Sequence, residues 1–261
     1  MDNDNSAANS GITGKKIFFL YPSTVIQNEI AAELTQQEYE VYLVRDHSAL
    51  RRVLKKFPDS LVFANLDDKL PEQEWESWIR DIQQDPATAQ AGLGVLAAQL
   101  NEDLRQKYTG ILKLPCGYTA LNKAEPAQTA AQIVELLRTM NARGRRKYLR
   151  ATSEREDLTT VNIPHNGHYF KGVIKDISVA GMSCVFIPDP DLNKNSLCKN
   201  IQVKLQSMLL KAEGVVFGSR LEGLTRIYVF IFTQRMYPET KAKIRRYIQT
   251  MLQEKMDALL R

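Results

Sequence analysis

Cysteine is scarce. The chain has three, Cys116, Cys184 and Cys198, an odd number with no Cys-x-x-Cys pair among them. That excludes a disulfide framework and a thiolate zinc finger and suits a reducing compartment, so a cytoplasmic location is expected. Histidine is equally rare. His47 stands alone, and His165 and His168 are spaced i, i+3 across a turn signal with no cysteine or acid beside them, so surface histidines are expected rather than a metal site. No apolar run approaches the roughly 18–20 residues of a membrane span, so no membrane insertion is expected. Residues 1–14 are polar and lack the basic-then-apolar order of a secretory signal; they read as a disordered tail. No nucleophile is spaced with a base and an orienting acid, so neither catalysis nor a cofactor is expected.

What remains is a globular composition, 44% hydrophobic and 25% charged over 261 residues, a length that favours two domains. The charge is unevenly divided. Residues 1–140 carry 14 Lys+Arg against 19 Asp+Glu, a net −5, and residues 141–261 carry 21 against 11, a net +10. An acidic half joined to a basic half implies different partners, and the basic half calls for an anion.

The first half alternates short apolar runs with helical periodicity. Strands are expected at 16–21, 40–44, 61–64, 93–96 and 111–114. Between them, Ser23 or Thr24 caps one helix, Pro58 ends a second, and Pro71 opens a third whose core face carries Trp75, Trp78, Ile79 and Ile82. A last helix carries Ala131, Ile133, Val134, Leu136 and Leu137. Five buried runs separated by helices specify an α/β domain over 15–140, a doubly wound parallel five-stranded sheet. Its order and size resemble the receiver domain of two-component signalling, but the acidic positions fail. Tyr21-Pro22 follow the first strand, Ala64-Asn65 end the third, and Ala97 or Ala98 stands where a hydroxyl is expected. Only Lys113, with Pro115 two residues on, matches the lysine of that pattern; Asp67 and Asp68 lie one step into the loop. Without an acidic cluster there is no oxygen cage for Mg²⁺, so a degenerate receiver serving as a docking or regulatory module is expected.

The second half switches to strand periodicity. Runs at 158–163, 168–177, 181–187, 201–206, 209–217 and 226–232 read as six strands, with a hairpin signal at Asn166-Gly167 and a polar turn at 218–223. Six short strands at hairpin spacing argue for a small antiparallel β-barrel over 151–237. From Pro238 to the C-terminus the chain is expected to be helical, with Ile244, Ile248, Met251, Leu252 and Leu259 on one stripe. A 24-residue helix of about 36 Å would fold that stripe back over the barrel or the first domain, making a monomer the expectation and a dimer the alternative.

Between the halves, 141–150 form an arginine-rich linker in which Arg143, Arg145, Arg146, Lys147 and Arg150 put five positive charges into eight residues. About thirty residues on comes Asp176-Ile-Ser178-Val-Ala-Gly181. Guanidinium groups bridge phosphate oxygens and grip guanine O6 and N7 bidentately. A carboxylate can accept from guanine N1–H and N2–H₂, and Asp176 and Ser178, two apart on a strand, would share a face. Gly181 would let the backbone turn or approach a base without a Cβ in the way. Arginines for phosphates and an acid for a guanine edge suit a guanine nucleotide.

Arg146-x-x-x-Arg150 followed by Asp176-x-Ser178-x-x-Gly181 resembles the signature of the PilZ domain, a small β-barrel that binds the bacterial second messenger cyclic di-GMP. The resemblance covers roughly 141–237. It implies that Arg146 and Arg150 hold phosphate and the guanine Hoogsteen edge, that Asp176 and Ser178 read guanine, and that Gly181 shapes the turn. It also places Arg145 where some members favour an intercalated ligand dimer. The implied protein is a non-enzymatic bacterial receptor whose ligand changes the interdomain arrangement and signals to an unidentified protein partner. One alternative is a PilZ-fold scaffold that works by protein contacts without the nucleotide. Another is a nucleic-acid-binding barrel, disfavoured because only Tyr148 interleaves the basic run with an aromatic ring.

Overall fold

The computed structural model describes residues 14–99, 101–153 and 158–261; the expected tail at 1–14 lies outside them except for Gly14. The chain divides into two compact units, one of residues 1–147 with 253–261, the other of residues 148–252. The division falls inside the arginine-rich segment.

The first unit is built on five parallel strands: β1 (Ile17–Leu20), β2 (Val41–Val44), β3 (Leu61–Asn65), β4 (Gly92–Ala97) and β5 (Tyr118–Ala120). Their order, β2-β1-β3-β4-β5, is that of flavodoxin-like doubly wound sheets. β1, β3 and β4 are buried along their whole length, as continuous apolar runs require when both faces are covered. The helices are α1 (Ala31–Gln36), entered through a π-helical turn at Ile26–Ile30, α2 (His47–Lys56), α3 (Glu72–Gln84), α4 (Glu102–Arg105), continued by a second π-helical turn at Gln106–Ile111, and α5 (Pro126–Thr139). One core cluster joins Ile17, Phe19 and Phe63 of the sheet to Ile30, Leu34, Ile133 and Leu137. Ser23 accepts the Ile26 amide at 3.4 Å, as a cap should. Asp46 caps α2 through the Ser48 and Ala49 amides at 2.8 and 2.9 Å, and these bonds, Ala49's foremost, hold its carboxyl below the usual range. Trp75 and Trp78 are core residues in T-shaped contact.

The fifth strand is displaced from its expected position. Residues 111–114 are not a strand: the π-helical turn ends at Ile111, which is 68% exposed, and Lys113 adopts a left-handed φ of 51°. Leu112 and Leu114 are buried from this loop. The chain then joins the sheet edge through Cys116 N–H to the Leu93 carbonyl, and β5 pairs with Val95–Ala97. Lys113 therefore precedes β5 and loses its match to the receiver lysine. At the ends of β1 and β3, Asn65 donates its side-chain amide to the Tyr21 carbonyl at 2.9 Å, and exposed Asp67 accepts the Ala98 amide at 2.7 Å. Among the described residues no cluster of three His, Cys, Asp or Glu is placed to hold a metal.

The second unit is a closed antiparallel barrel of six strands: β7 (Thr159–His165), β8 (His168–Ser178), β9 (Gly181–Phe186), β10 (Leu197–Leu205), β11 (Met208–Glu222) and β12 (Thr225–Phe232). The ring runs β8-β7-β10-β11-β12-β9 and closes through β9 on β8. A two-residue strand, β6 (Ala151–Thr152), not anticipated from sequence, adds to β8. Asn166 and Gly167, both at positive φ, make the two-residue turn between β7 and β8. Ile201, Val203 and Leu205 point inward beside Val161, Ile163, Ile174 and Phe230, and Cys184 and Cys198 share that core. The expected turn at 218–223 is shorter: β11 runs to Glu222 and only Gly223-Leu224 separate it from β12. Polar composition misled there, because Leu221 and Glu222 belong to a ribbon paired only with Arg226 and Thr225.

Helix α6 (Pro238–Leu260) follows, and its Ile244, Tyr247 and Ile248 complete the barrel core, with Met251 and Leu252 packed against it. Leu259 departs from the expected stripe and is 41% exposed. Among the described residues no helix is long and apolar enough to cross a membrane.

Candidate functional site

The arginine-rich segment is better anchored than a loose linker. Arg143 donates to the Gln37 carbonyl at 3.0 Å and lies 4.9 Å over the Tyr39 ring, within the first unit. Arg145 and Arg146 belong to the same unit, are exposed, and have no ion pair among the described residues. From Tyr148 onwards the chain belongs to the barrel. Tyr148 and Leu149 pack on its core, β6 sets Ala151 opposite Ile177 and Thr152 opposite Asp176, and the Ser153 amide bonds the Lys175 carbonyl at 3.0 Å. Fixed from both sides, Arg150 reaches Asp176 with its Nη1 3.3 Å from Oδ1. Its side chain is 50% exposed and that of Asp176 24%. The structure thus joins two residues 26 positions apart in sequence.

A β-bulge decides where Asp176 points. Along the β8–β9 ladder Ile174 opposes Cys184, both facing the core, and Asp176 opposes Ser183, leaving Lys175 as the extra residue. In unbroken register Lys175 would oppose Ser183, and Asp176 would oppose Met182, a core residue. The bulge turns the carboxylate away from the core and opposite a hydroxyl. Ser183 donates its Oγ–H to Asp176 Oδ2. This buried serine was not among the residues singled out from sequence; its only signal was its place two residues beyond Gly181, and the bulge that makes that place matter leaves no mark in composition.

Ser178 and Gly181 are built into the β8–β9 turn. Ser178 is 3% exposed; its hydroxyl donates to the Gly181 carbonyl at 3.2 Å and accepts the Ala180 amide at 3.3 Å. It ties the β8–β9 turn, and by register it stands on the same side of β8 as Asp176, the two flanking core-facing Ile177. At Gly181 a Cβ would stand 2.1 Å from the Phe230 carbonyl oxygen, so the glycine permits close approach of β12. The second unit therefore gathers Arg150, Asp176 and Ser183 as its polar cluster, with Ser178 and Gly181 as its scaffold. One carboxylate with both oxygens engaged, beside an exposed guanidinium, can accept N–H donors from a planar edge while the guanidinium meets an anion.

No family model matches the chain, and no curated relative does. Among solved structures, it is similar to YcgR from Escherichia coli in complex with c-di-GMP at 16% identity and a TM-score of 0.39, covering 44% of this chain and 50% of that one. The PilZ domain of YcgR from the same organism, with c-di-GMP, is matched at 15% identity and 0.38, covering 44% of this chain and 96% of that one. The c-di-GMP complex of K. pneumonia MrkH is matched at 21% and 0.40, covering 45% and 57%. These alignments span about half the length of the full YcgR and MrkH chains, and with each of these three TM-scores below 0.5 the functional reading rests on the residues themselves.

Proposed function

We propose that the chain is a non-enzymatic receptor for cyclic di-GMP that carries a PilZ-type barrel and signals to a protein partner. The observation that carries this reading is the Arg150–Asp176 pair, which unites the two halves of the Arg-x-x-x-Arg and Asp-x-Ser-x-x-Gly pattern. In this reading Arg146 and Arg150 hold phosphate and the guanine Hoogsteen edge, Arg145 bears on ligand stoichiometry, and Asp176 accepts from guanine N1–H and N2–H₂. Ser178 reads guanine beside Asp176, and with Gly181 it shapes the turn that carries that carboxylate. The net charge of +10 on residues 141–261 favours a dianionic ligand. The first unit, a degenerate receiver in this proposal, is the module whose arrangement the ligand changes.

Calorimetric titration of the full chain with cyclic di-GMP, followed by single-stranded RNA as competitor, tests the reading. Saturable binding that RNA does not displace is expected. Heat with RNA and none with the nucleotide would transfer the function to nucleic-acid binding, and heat with neither would favour a protein-contact scaffold.

A further inference from the structure

We propose that Ser183 is a positioning residue for guanine recognition, acting through Asp176; this rests on the receptor reading above. A carboxylate that reads N1–H and N2–H₂ together must present both oxygens in the plane of the base. The terminal torsion of aspartate is broad, so the side chain alone does not set that plane. Two contacts set it here, and they differ in kind. Arg150, half exposed, holds Oδ1 from the solvent side at 3.3 Å and can exchange toward phosphate when a ligand arrives. Ser183 holds Oδ2 from within the β8–β9 ladder and is only 4% exposed, so water cannot readily replace it.

The stoichiometry of lone pairs permits the role. An ionised carboxylate only accepts, and each oxygen has two lone pairs. Oδ2 can therefore keep the Ser183 bond and still accept from a base. The bulge at Lys175 is what brings the two residues opposite each other, whereas unbroken register would give Ser183 a lysine neighbour. A serine present only to satisfy its own buried hydroxyl would need no such irregularity.

Calorimetry on the full-length protein and its Ser183→Ala, Asp176→Ala and doubly substituted forms tests the proposal, with cyclic di-GMP and its inosine analogue, which lacks the exocyclic amine, as probes. Ser183→Ala should weaken cyclic di-GMP about 10-fold, as expected for loss of a hydrogen bond to a charged group. It should also narrow the preference over the inosine analogue and leave the salt dependence unchanged, because the phosphate contacts remain. In the Asp176→Ala background the same change should cost nothing further. Unaltered affinity in Ser183→Ala, or an equal loss with and without Asp176, overturns the proposal. If Ser183→Ala fails to fold, Ser183→Cys, of similar size and a weak donor, decides instead: an intermediate loss supports the role and wild-type affinity refutes it. Wild-type protein that does not bind cyclic di-GMP refutes the receptor reading itself, and the proposal falls with it.

Discussion

The side-chain amide of Gln253 closes a two-bond ring on the backbone of Leu43: Nε2 donates to the Leu43 carbonyl and Oε1 accepts the Leu43 amide, each at 3.0 Å. Leu43 lies on β2, an edge of the parallel sheet in the first unit, where outward amides and carbonyls lack a strand partner. One glutamine stands in for the missing strand at that residue.

Replacing Gln253 with alanine should cost about 1–2 kcal/mol for two lost hydrogen bonds. Urea unfolding measures that cost, and hydrogen exchange localises it. The Leu43 amide should lose protection while that of Ile17, bonded to the Glu40 carbonyl, keeps it. Unchanged exchange at Leu43 would show the ring to be energetically idle.

Arg150→Ala and Arg146→Ala should each weaken cyclic di-GMP by about 1–3 kcal/mol, tens-fold in affinity. Neither should lower thermal stability appreciably, because Arg146 has no described partner and the half-exposed Arg150–Asp176 pair is screened by solvent. Binding and melting curves on the same samples check both halves of this expectation. Wild-type affinity in Arg146→Ala would remove that residue from the site.

Gly181→Ala should damage the protein before any ligand is added. Its Cβ would stand 2.1 Å from a backbone oxygen of β12, so the β9–β12 ladder must part, at about 2–4 kcal/mol. Thermal unfolding of the ligand-free variant measures this. A variant as stable as the parent but unable to bind would mean that the glycine serves the ligand instead.

The cysteines give a pH-dependent expectation. Burial pushes the Cys116 thiol up to about 12 and the Cys184 thiol well above its ordinary value near 9, and it raises Cys198 as well. At pH 8 a thiol-reactive dye should label none of the three in native protein and all three in denaturant. The unfolded chain loses these protons near pH 9 and the folded chain holds them longer, so stability should fall as pH rises from about 9 towards 12. Cys116→Ala should flatten part of that slope, as denaturant titrations across the range would show.

Much of the architecture was legible because burial on both faces writes continuous apolar runs and the barrel writes alternation. Ile17–Leu20 and Ile201–Leu205 needed only those two periods. The failures are equally physical. Residues 111–114 look like a strand because Leu112 and Leu114 are buried, yet they are buried from a loop after a π-helical turn, which hydrophobicity cannot distinguish. In the candidate site, Arg150 and Asp176 could be read from residue type and spacing. The Ser183 contact could not, since it depends on one residue of register gained at Lys175. Ser178 was singled out for guanine and Gly181 for a turn or an approaching base; the close approach of β12 at Gly181 depends on a strand pairing some fifty residues distant in sequence, which local pattern does not carry.

The ribbon at the end of β11 and β12 has a practical use. Beyond Arg220 and Ile227 it pairs with nothing but itself, and its tip residue Leu224 is fully exposed. Arg226 steadies its base through Asp191 at 2.8 Å. A fluorophore or short peptide tag spliced between Gly223 and Leu224 would extend a ribbon that pairs with no other strand, giving a reporter position on the barrel that leaves the β12–β9 and β9–β8 pairings undisturbed.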